Sequence, residues 1–521
     1  MNDILKALNS EQKKAVEIVK GPLLVLAGAG SGKTRTIIHR AAYLIKEKKI
    51  NPWNLLIVTF TNKAARELQE RLEDFFQIST RSLWVGTFHS ICLRILRFEN
   101  KHLNSYENNF TIYDTQDQKT TLKKCYKDLD IDKKQFPLNA AKSIISRNKN
   151  NLTTPENFFL YNKESFKSRL IQKIYQKYQK KLLNNNAMDF DDLIMNATIL
   201  LKNNKEILEK YRSIFKYIMI DEYQDTNYAQ FKLINLLARE HQNICAVGDD
   251  DQAIYGWRGA TIKNILNFGK DYQNVKTIRL EQNYRSTQPI LEVANQLIKN
   301  NKDRHEKKLW SDMDSSDKPE LNVFENETDE ANFVAEDIKS IQMNKNVSFN
   351  NFAVLYRTNA QSRIFEKAFI KNNLPFQVFG GVNFFQRKEV KDILAYLRIL
   401  TNPEDNESFL RIINFPKRGI GKKSVSKVLD FSLKNNLNLY DSIIKIPKVT
   451  NLPNLFKKKI GKLSKLLDKW ENDLNTKNAL EMMETVIEDT GILKIYDKSD
   501  DSQDISRSEK IEQLLVSVQE F

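Results

Sequence analysis

The sequence predicts an α/β protein built around a parallel sheet that carries a phosphate-binding loop. Three observations lead there. The apolar run Leu23-Leu24-Val25-Leu26 ends in a glycine-rich turn, and a helical pattern follows through Ile37, Ile38, Ala41 and Leu44. This is the strand–loop–helix order in which phosphate loops work. Leu55–Val58 and Tyr217–Ile220 read as further buried strands, each ending in polar residues. In a parallel sheet, ligands collect beyond those carboxyl ends.

Length and composition bound the reading. A chain of 521 residues has room for about three or four domains. Lys and Arg number 82 against 66 Asp and Glu, a formal net charge of +16. That excess favours a polyanionic partner, although charge alone leaves a merely solvated basic surface open. Cys92, Cys125 and Cys245 are scattered and form no CxxC pair. This argues against a disulfide framework or zinc site and for a reducing compartment. The start, Met1–Lys6, has no basic flank followed by an apolar core. No apolar run is long enough to span a bilayer. The expectation is a cytoplasmic protein with no membrane association.

Leu8–Gln12 reads as a helix start that Asn9 or Ser10 can cap. Capping does not account for Gln12, whose amide can read both a donor and an acceptor on adenine. The phosphate loop comprises Ala27, Gly28, Ala29, Gly30, Ser31, Gly32, Lys33 and Thr34, with Ala27 where the usual pattern has its first glycine. Glycines let backbone N–H groups curl around phosphates. Lys33 is the candidate for the outer phosphates of ATP and Thr34 for Mg²⁺. The strand Leu55–Val58 runs into Thr59–Ala65, and Leu83–Val85 runs into Gly86–Ser90. Hydroxyls, an amide and aromatic rings at these ends suit a single strand of nucleic acid. For Phe60, Phe88 and His89, ordinary loop packing stays equally open.

From Phe110 to about Asn186, apolar residues recur at Leu170, Ile171, Ile174, Tyr175, Tyr178 and Leu182, with lysines such as Lys173, Lys177 and Lys180 between them. This predicts a helical insert with a basic outer face, its tyrosines in the core, and Asn184–Asn186 as exit linker. Met188–Leu193 opens the next helix with acids that complement the helix dipole. Tyr217–Asp225 then closes an apolar strand with Asp221 and Glu222. Downstream of a phosphate loop, Asp221 is the candidate Mg²⁺ ligand and Glu222 the candidate for activating the attacking water. Ile244–Gln252 is another strand with a polar end. There Gln252 is placed to sense a γ-phosphate, and Tyr255, Trp257 and Arg258 just beyond form a candidate stacking platform. In Leu280–Ser286, Tyr284 offers a ring to adenine and Arg285 a cation to the γ-phosphate.

The ordered set Gln12, Ala27–Thr34, Thr59–Ala65, Gly86–Ser90, Asp189–Leu193, Asp221–Asn227, Gly248–Ala260 and Gln282–Ser286 resembles the UvrD/Rep/PcrA family of superfamily 1 DNA helicases. The likeness continues through Val354–Arg363, Gly380–Asp392 and Pro416–Val425. The resemblance implies ATP-driven 3′→5′ translocation on single-stranded DNA with duplex unwinding, in repair or replication. It implies P-loop RecA-like parallel-sheet motor domains with two largely helical inserts. The expected boundaries are 1–110 and 187–280 for the first RecA-like domain, 111–186 for its basic insert, 281–379 for the second RecA-like domain and 380–521 for the second insert. In the second RecA-like domain a helical pattern from Asp329 to Ile341 precedes an expected strand, Phe352–Tyr356.

Carried over by position, Gln12 reads adenine, Ala27–Thr34 hold phosphates, and Arg35 and Tyr284 meet the base or ribose region. Asp221 holds Mg²⁺, Glu222 is the catalytic base, and Gln252 and Arg285 meet the γ-phosphate. Phe60, Asn62, Tyr255, Trp257, Arg258 and Asn359 line the single strand, with His89 a further candidate. The turn Lys417–Lys423 resembles a helix–hairpin–helix turn. It makes Lys417, Arg418 and Lys422 candidate contacts to duplex at a single-strand/duplex junction, while a plain glycine turn on a basic helix pair stays open. The chain departs from the family at Phe521, where a ribose-reading glutamate, further strands and a second arginine finger are expected to follow. The second RecA-like domain is therefore expected to be incomplete. The alternatives carried forward are a nucleotide- and DNA-binding fragment without productive unwinding and the motor half of a helicase–nuclease.

Overall fold

The computed structural model describes residues 2–76, 83–103, 105–134, 136–161, 165–313, 315–379, 384–449, 452–496 and 502–519. Gly380–Asn383, at the start of the expected second insert, and Asp501, near the chain's end, lie outside the described residues. Among the described residues eight strands are present: β1 (Leu23–Ala27), β2 (Leu55–Thr59), β3 (Trp84–Thr87), β4 (Thr111–Tyr113), β5 (Ala187–Asp189), β6 (Tyr217–Ile220), β7 (Ile244–Gly248) and β8 (Lys276–Leu280). Six form one sheet in the order β3-β2-β6-β7-β1-β8, with every pairing parallel.

Five of these six strands are buried along their whole length. Both sheet faces are covered by helices, so each strand is a continuous apolar run rather than an alternating one. The side chains still divide by face. Leu24, Leu26, Leu56, Val58, Ile218 and Ile220 join one core, while Leu23, Val25, Ile57, Met219 and Val247 join the other with Ile37 and Leu44 of the helix Lys33–Lys46. Because all strands run the same way, the loops after β1, β2, β6, β7 and β8 emerge on one edge. Every nucleotide and DNA candidate before residue 290 lies on that edge or next to it.

The chain divides into two compact units. The first comprises Met1–Lys318, Thr401–Glu407 and Asn436–Tyr440, and the second the remaining residues. Residues 281–318, expected to open a separate domain, belong to the first unit. Strand β8 completes its sheet, and Gln282 makes a parallel bridge with Trp310.

The insert is helical, as expected, and is closed by the short parallel pair β4–β5. Its core holds Tyr113, Tyr126, Tyr175 and Tyr178. Two readings of its exit change. Asn185 and Asn186 are buried rather than forming a solvated linker. Asn186 takes a left-handed φ of 43°, a conformation asparagine tolerates. The acids of Asp189–Asp192 do more than complement a dipole. Asp189 caps the helix Phe190–Asn203, and Asp189 and Asp192 each lie 2.8 Å from Lys149 Nζ, whose side chain is fully buried.

In the second unit, helices Glu327–Lys345 and Asn359–Lys371 pack through Ala331, Ala335 and Ala368. Phe352–Tyr356 is not a strand: it makes no ladder, and Leu355 is 94% exposed. A strand exists only through a hydrogen-bonded neighbour, and among the described residues none pairs with this segment. No helix of the described residues is long and apolar enough to cross a membrane.

Candidate functional site

The loop after β1 turns sharply, with Gly30 at φ 68° and Gly32 at φ 85°, a region open to glycine without strain. The space there is also closed to a side chain. A Cβ on Gly30 would lie 2.6 Å from Asn283 Nδ2, and one on Gly32 would lie 2.7 Å from Gln12 Nε2. Gly32 precedes the helix Lys33–Lys46, so the loop presents that helix's first N–H groups, a ready anion site. Ala27 is the last residue of β1 and fully buried in the sheet core, which is why a methyl group is accepted at that position.

Strand β6 delivers Asp221 and Glu222 to the same edge. Lys33 Nζ lies 2.7 Å from Glu222 Oε2. Asp221 is 4% exposed; burial, then the charge of Glu222, push its carboxyl up to about 7 against the opposing pull of Lys33. Burial pushes Asp225 up to about 6, with Glu222 again contributing. Glu222 itself sits at φ 52°, a left-handed conformation that costs a non-glycine residue of order 1 kcal/mol or more and clusters at functional sites.

The donor set fits a hard divalent cation. Thr34 and Asp221 offer oxygen only. Burial favours the neutral form of this carboxyl, a preference that a nearby cation reverses. The buried Asp225 Oδ1 finds no partner among the described residues.

Gln224 was missed in the sequence, where only the flanking acids drew attention. It is 1% exposed. Its Nε2 donates to Glu222 Oε2 at 2.8 Å, and its Oε1 accepts from Asp249 N at 2.9 Å. One amide thus ties the end of β6 to the end of β7. Gln252 follows on, donating to Asp249 Oδ2 at 2.6 Å.

The loop after β8 closes on the phosphate loop. Asn283, also missed, donates to Ala29 O at 2.6 Å and accepts from the backbone N–H groups of Arg285 and Ser286. The N–H of Tyr284 donates to Gly30 O at 2.9 Å. Tyr284 and Arg285 remain exposed beside the loop, and Arg35 is exposed at the start of the adjoining helix.

Gln12 has a structural role that the sequence reading did not give it. Capping does account for it. Asn9 caps the helix Ser10–Glu17, and Gln12 at its third position completes a capping box with the Asn9 N–H. Its Nε2 donates to Ser31 O at 2.9 Å, and the residue is fully buried. Gln12 therefore braces the phosphate loop. The polar group beside Tyr284 is instead Asn9, whose Nδ2 donates to the Tyr284 hydroxyl at 2.9 Å.

Beyond β2 and β7 lies an aromatic run. Phe60 and Tyr255 are 4.8 Å apart between ring centroids, and Tyr255 and Trp257 6.4 Å. Trp257 is 76% exposed, so it is not core. The Arg258 guanidinium stacks over its ring at 4.7 Å. Asn62 is exposed at the start of the helix Asn62–Phe76. His89 packs edge-on against Phe190, and burial pushes its imidazole down to about 4. It is neutral at physiological pH and brings no charge to a phosphate.

Asn359, Lys417, Arg418 and Lys422 belong to the second unit. Asn359 begins the helix Asn359–Lys371. Lys417 and Lys422 are exposed around Gly419, which has φ 70°. Arg418 is corrected. Its guanidinium turns inward to Ile412 O and Phe415 O, each at 2.8 Å, and to the Tyr396 hydroxyl. It holds the turn together rather than facing outward.

The UvrD/REP helicase N-terminal domain matches residues 8–273, and the UvrD-like helicase C-terminal domain matches residues 278–521. The chain belongs to the UvrD/REP helicase family. It is 43% identical to the ATP-dependent DNA helicase PcrA of Staphylococcus epidermidis over 520 residues, covering 99% of this chain and 70% of that protein. It is 48% identical to the ATP-dependent DNA helicase PcrA of Staphylococcus aureus over 445 residues, covering 85% of this chain and 60% of that protein. Family membership brings nucleotide use and a DNA substrate with it.

Proposed function

We propose that this chain is an ATP-hydrolysing DNA helicase that moves 3′→5′ along single-stranded DNA and opens duplex at a junction. One observation carries the reading. The Lys33–Glu222 pair beside buried Asp221 connects, through Gln224, Asp249 and Gln252, to the loop that exposes Trp257. Hydrogen bonds thus run from the phosphate site to Gln252, which precedes Trp257 along the same loop.

The roles follow from the chemistry of each group. Lys33 and the backbone N–H groups of the loop bind the outer phosphates, and Arg285 and Gln252 meet the γ-phosphate. Tyr284 and Arg35 flank the base and ribose. Thr34 and Asp221 are the residues that would hold Mg²⁺, which supplies neutralisation of developing phosphate charge. Phosphate oxygens compete with Glu222 for Lys33. Substrate binding thereby frees the Glu222 carboxylate to take a proton from the attacking water. Phe60, Tyr255, Trp257 and Arg258 stack bases, with Asn62 lining the strand; Asn359, on the second unit, is a separate candidate strand contact. Lys417 and Lys422 bring positive charge to duplex phosphates.

The reading as a binding fragment without unwinding is not favoured, since the two family domains together span 8–273 and 278–521. The test is strand separation on duplexes with a 3′ or a 5′ single-stranded tail, with ATP and Mg²⁺. Opening of the 3′-tailed substrate alone supports the proposal. Preference for the 5′ tail, or none, contradicts the polarity.

A further inference from the structure

Asp249, Asp250 and Asp251 form a dense acidic loop after β7, with their carboxylate oxygens mutually within 4.8 Å. The loop already has its cation. Lys307 places Nζ 2.9 Å from Asp249 Oδ1 and 2.8 Å from Asp251 Oδ2, also bonds Asp250, and keeps its side chain only 2% exposed. Arg304 grips Asp251 with two bonds of 2.7 and 2.8 Å, and the backbone N–H of His305 donates to Asp250. These cations come from a segment more than fifty residues downstream.

The same segment reaches the other two nucleotide loops. The Asn283 N–H donates to Trp310 O at 2.7 Å, and Ser311 Oγ donates to Asn283 O at 3.1 Å. Leu309 fills the space over Gly28 so closely that a Cβ there would collide with it. Residues 304–311 therefore form a strap that touches the phosphate loop, the loop of Arg285 and the loop of Gln252. Within it Lys307 acts on one specific chain. It holds one oxygen of Asp249, whose other oxygen holds Gln252 Nε2 at 2.6 Å.

We propose that Lys307 is a positioning residue for ATP hydrolysis: through Asp249 it fixes Gln252 and the start of the Trp257 loop, so that DNA bound there is felt at the γ-phosphate. The proposal rests on the hydrolysis reading above. Without Lys307 only Arg304, held on Asp251, faces the three carboxylates of this loop, and the Asp249 contact that aims Gln252 loses its anchor. Small misplacements of such a group lower turnover more than substrate binding.

The test measures ATP hydrolysis against ATP concentration, with and without saturating oligo(dT), for the parent chain, Lys307→Met and Asp249→Asn, alongside thermal melting. Asp249→Asn leaves Lys307 paired to Asp250 and Asp251, so it decides the matter should Lys307→Met not fold. The expected result is a drop of about tenfold or more in DNA-stimulated kcat for both variants, with KM for ATP within about threefold of the parent. Folded variants with parental DNA stimulation overturn the proposal, as does a loss confined to KM. An active parent with unaffected variants removes this inference alone, whereas a parent without ATP turnover removes the hydrolysis reading and this inference together.

Discussion

Lys33 Nζ and Glu222 Oε2 form an ion pair of 2.7 Å between the phosphate loop and the end of β6. In the proposed mechanism the pair joins the group that binds phosphate to the group that activates water, so nucleotide arrival and release of the base are one event. Lys33→Ala is expected to lower kcat for ATP by at least about a hundredfold, since electrostatic stabilisation of phosphoryl transfer carries most of the catalysis. Affinity for single-stranded DNA, measured by fluorescence anisotropy, should stay within about threefold, because Trp257 and its neighbours do not touch Lys33.

Trp257 is the exposed end of the Phe60–Tyr255–Trp257 run. Trp257→Ala removes a stacking face worth about 1–3 kcal/mol. Single-strand affinity should fall by roughly 5–150-fold, and stimulation of ATP hydrolysis by DNA should fall with it. Hydrolysis without DNA should be unchanged.

Gln224 is buried and uses both ends of its amide. Gln224→Leu keeps much of its volume but leaves the Asp249 N–H without its acceptor. A stranded buried donor costs about 1–3 kcal/mol. Denaturant unfolding should show that loss, and kcat should drop while KM for ATP changes little.

Asp221 predicts a pH dependence. Its carboxyl is pushed up to about 7, so its neutral form dominates below that pH. A cation must displace the proton, and apparent Mg²⁺ affinity should fall about tenfold for each pH unit below 7. Titrating Mg²⁺-dependent ATP hydrolysis between pH 5.5 and 8.5, limits chosen to span about 7, checks the slope. In metal-free protein the raised value means that this group's contribution to stability is full below its unfolded value near 4. It is lost as pH rises through about 7, and Asp221→Asn should remove that loss.

Much of the first unit was legible because its strands are covered on both faces. Leu23–Ala27, Leu55–Thr59 and Tyr217–Ile220 are continuous apolar runs of strand length, as parallel strands buried on both faces require. What escaped notice depends on partners distant in sequence. Lys307 reads as one lysine among many until the fold sets it among three aspartates. Lys149 looks like part of a basic face until Asp189 and Asp192 surround it. The capping role of Gln12 escaped notice for a local reason: it depends on the helix beginning at Ser10, which makes Gln12 the third residue of a capping box. Phe352–Tyr356 has strand-like composition, but composition supplies no hydrogen-bonding neighbour. Arg418 sits in a basic turn that looks outward in sequence, yet the carbonyls of Ile412 and Phe415 draw it inward.

The most direct test of the central claim, that the hydrogen bonds ending at Gln252 couple the phosphate site to the loop of Trp257, is ATP hydrolysis by this chain with and without single-stranded DNA. The account predicts Mg²⁺-dependent turnover that rises at least about tenfold when DNA is added, and loss of turnover in both conditions for Glu222→Gln. Turnover that ignores DNA, or that survives Glu222→Gln, would contradict it.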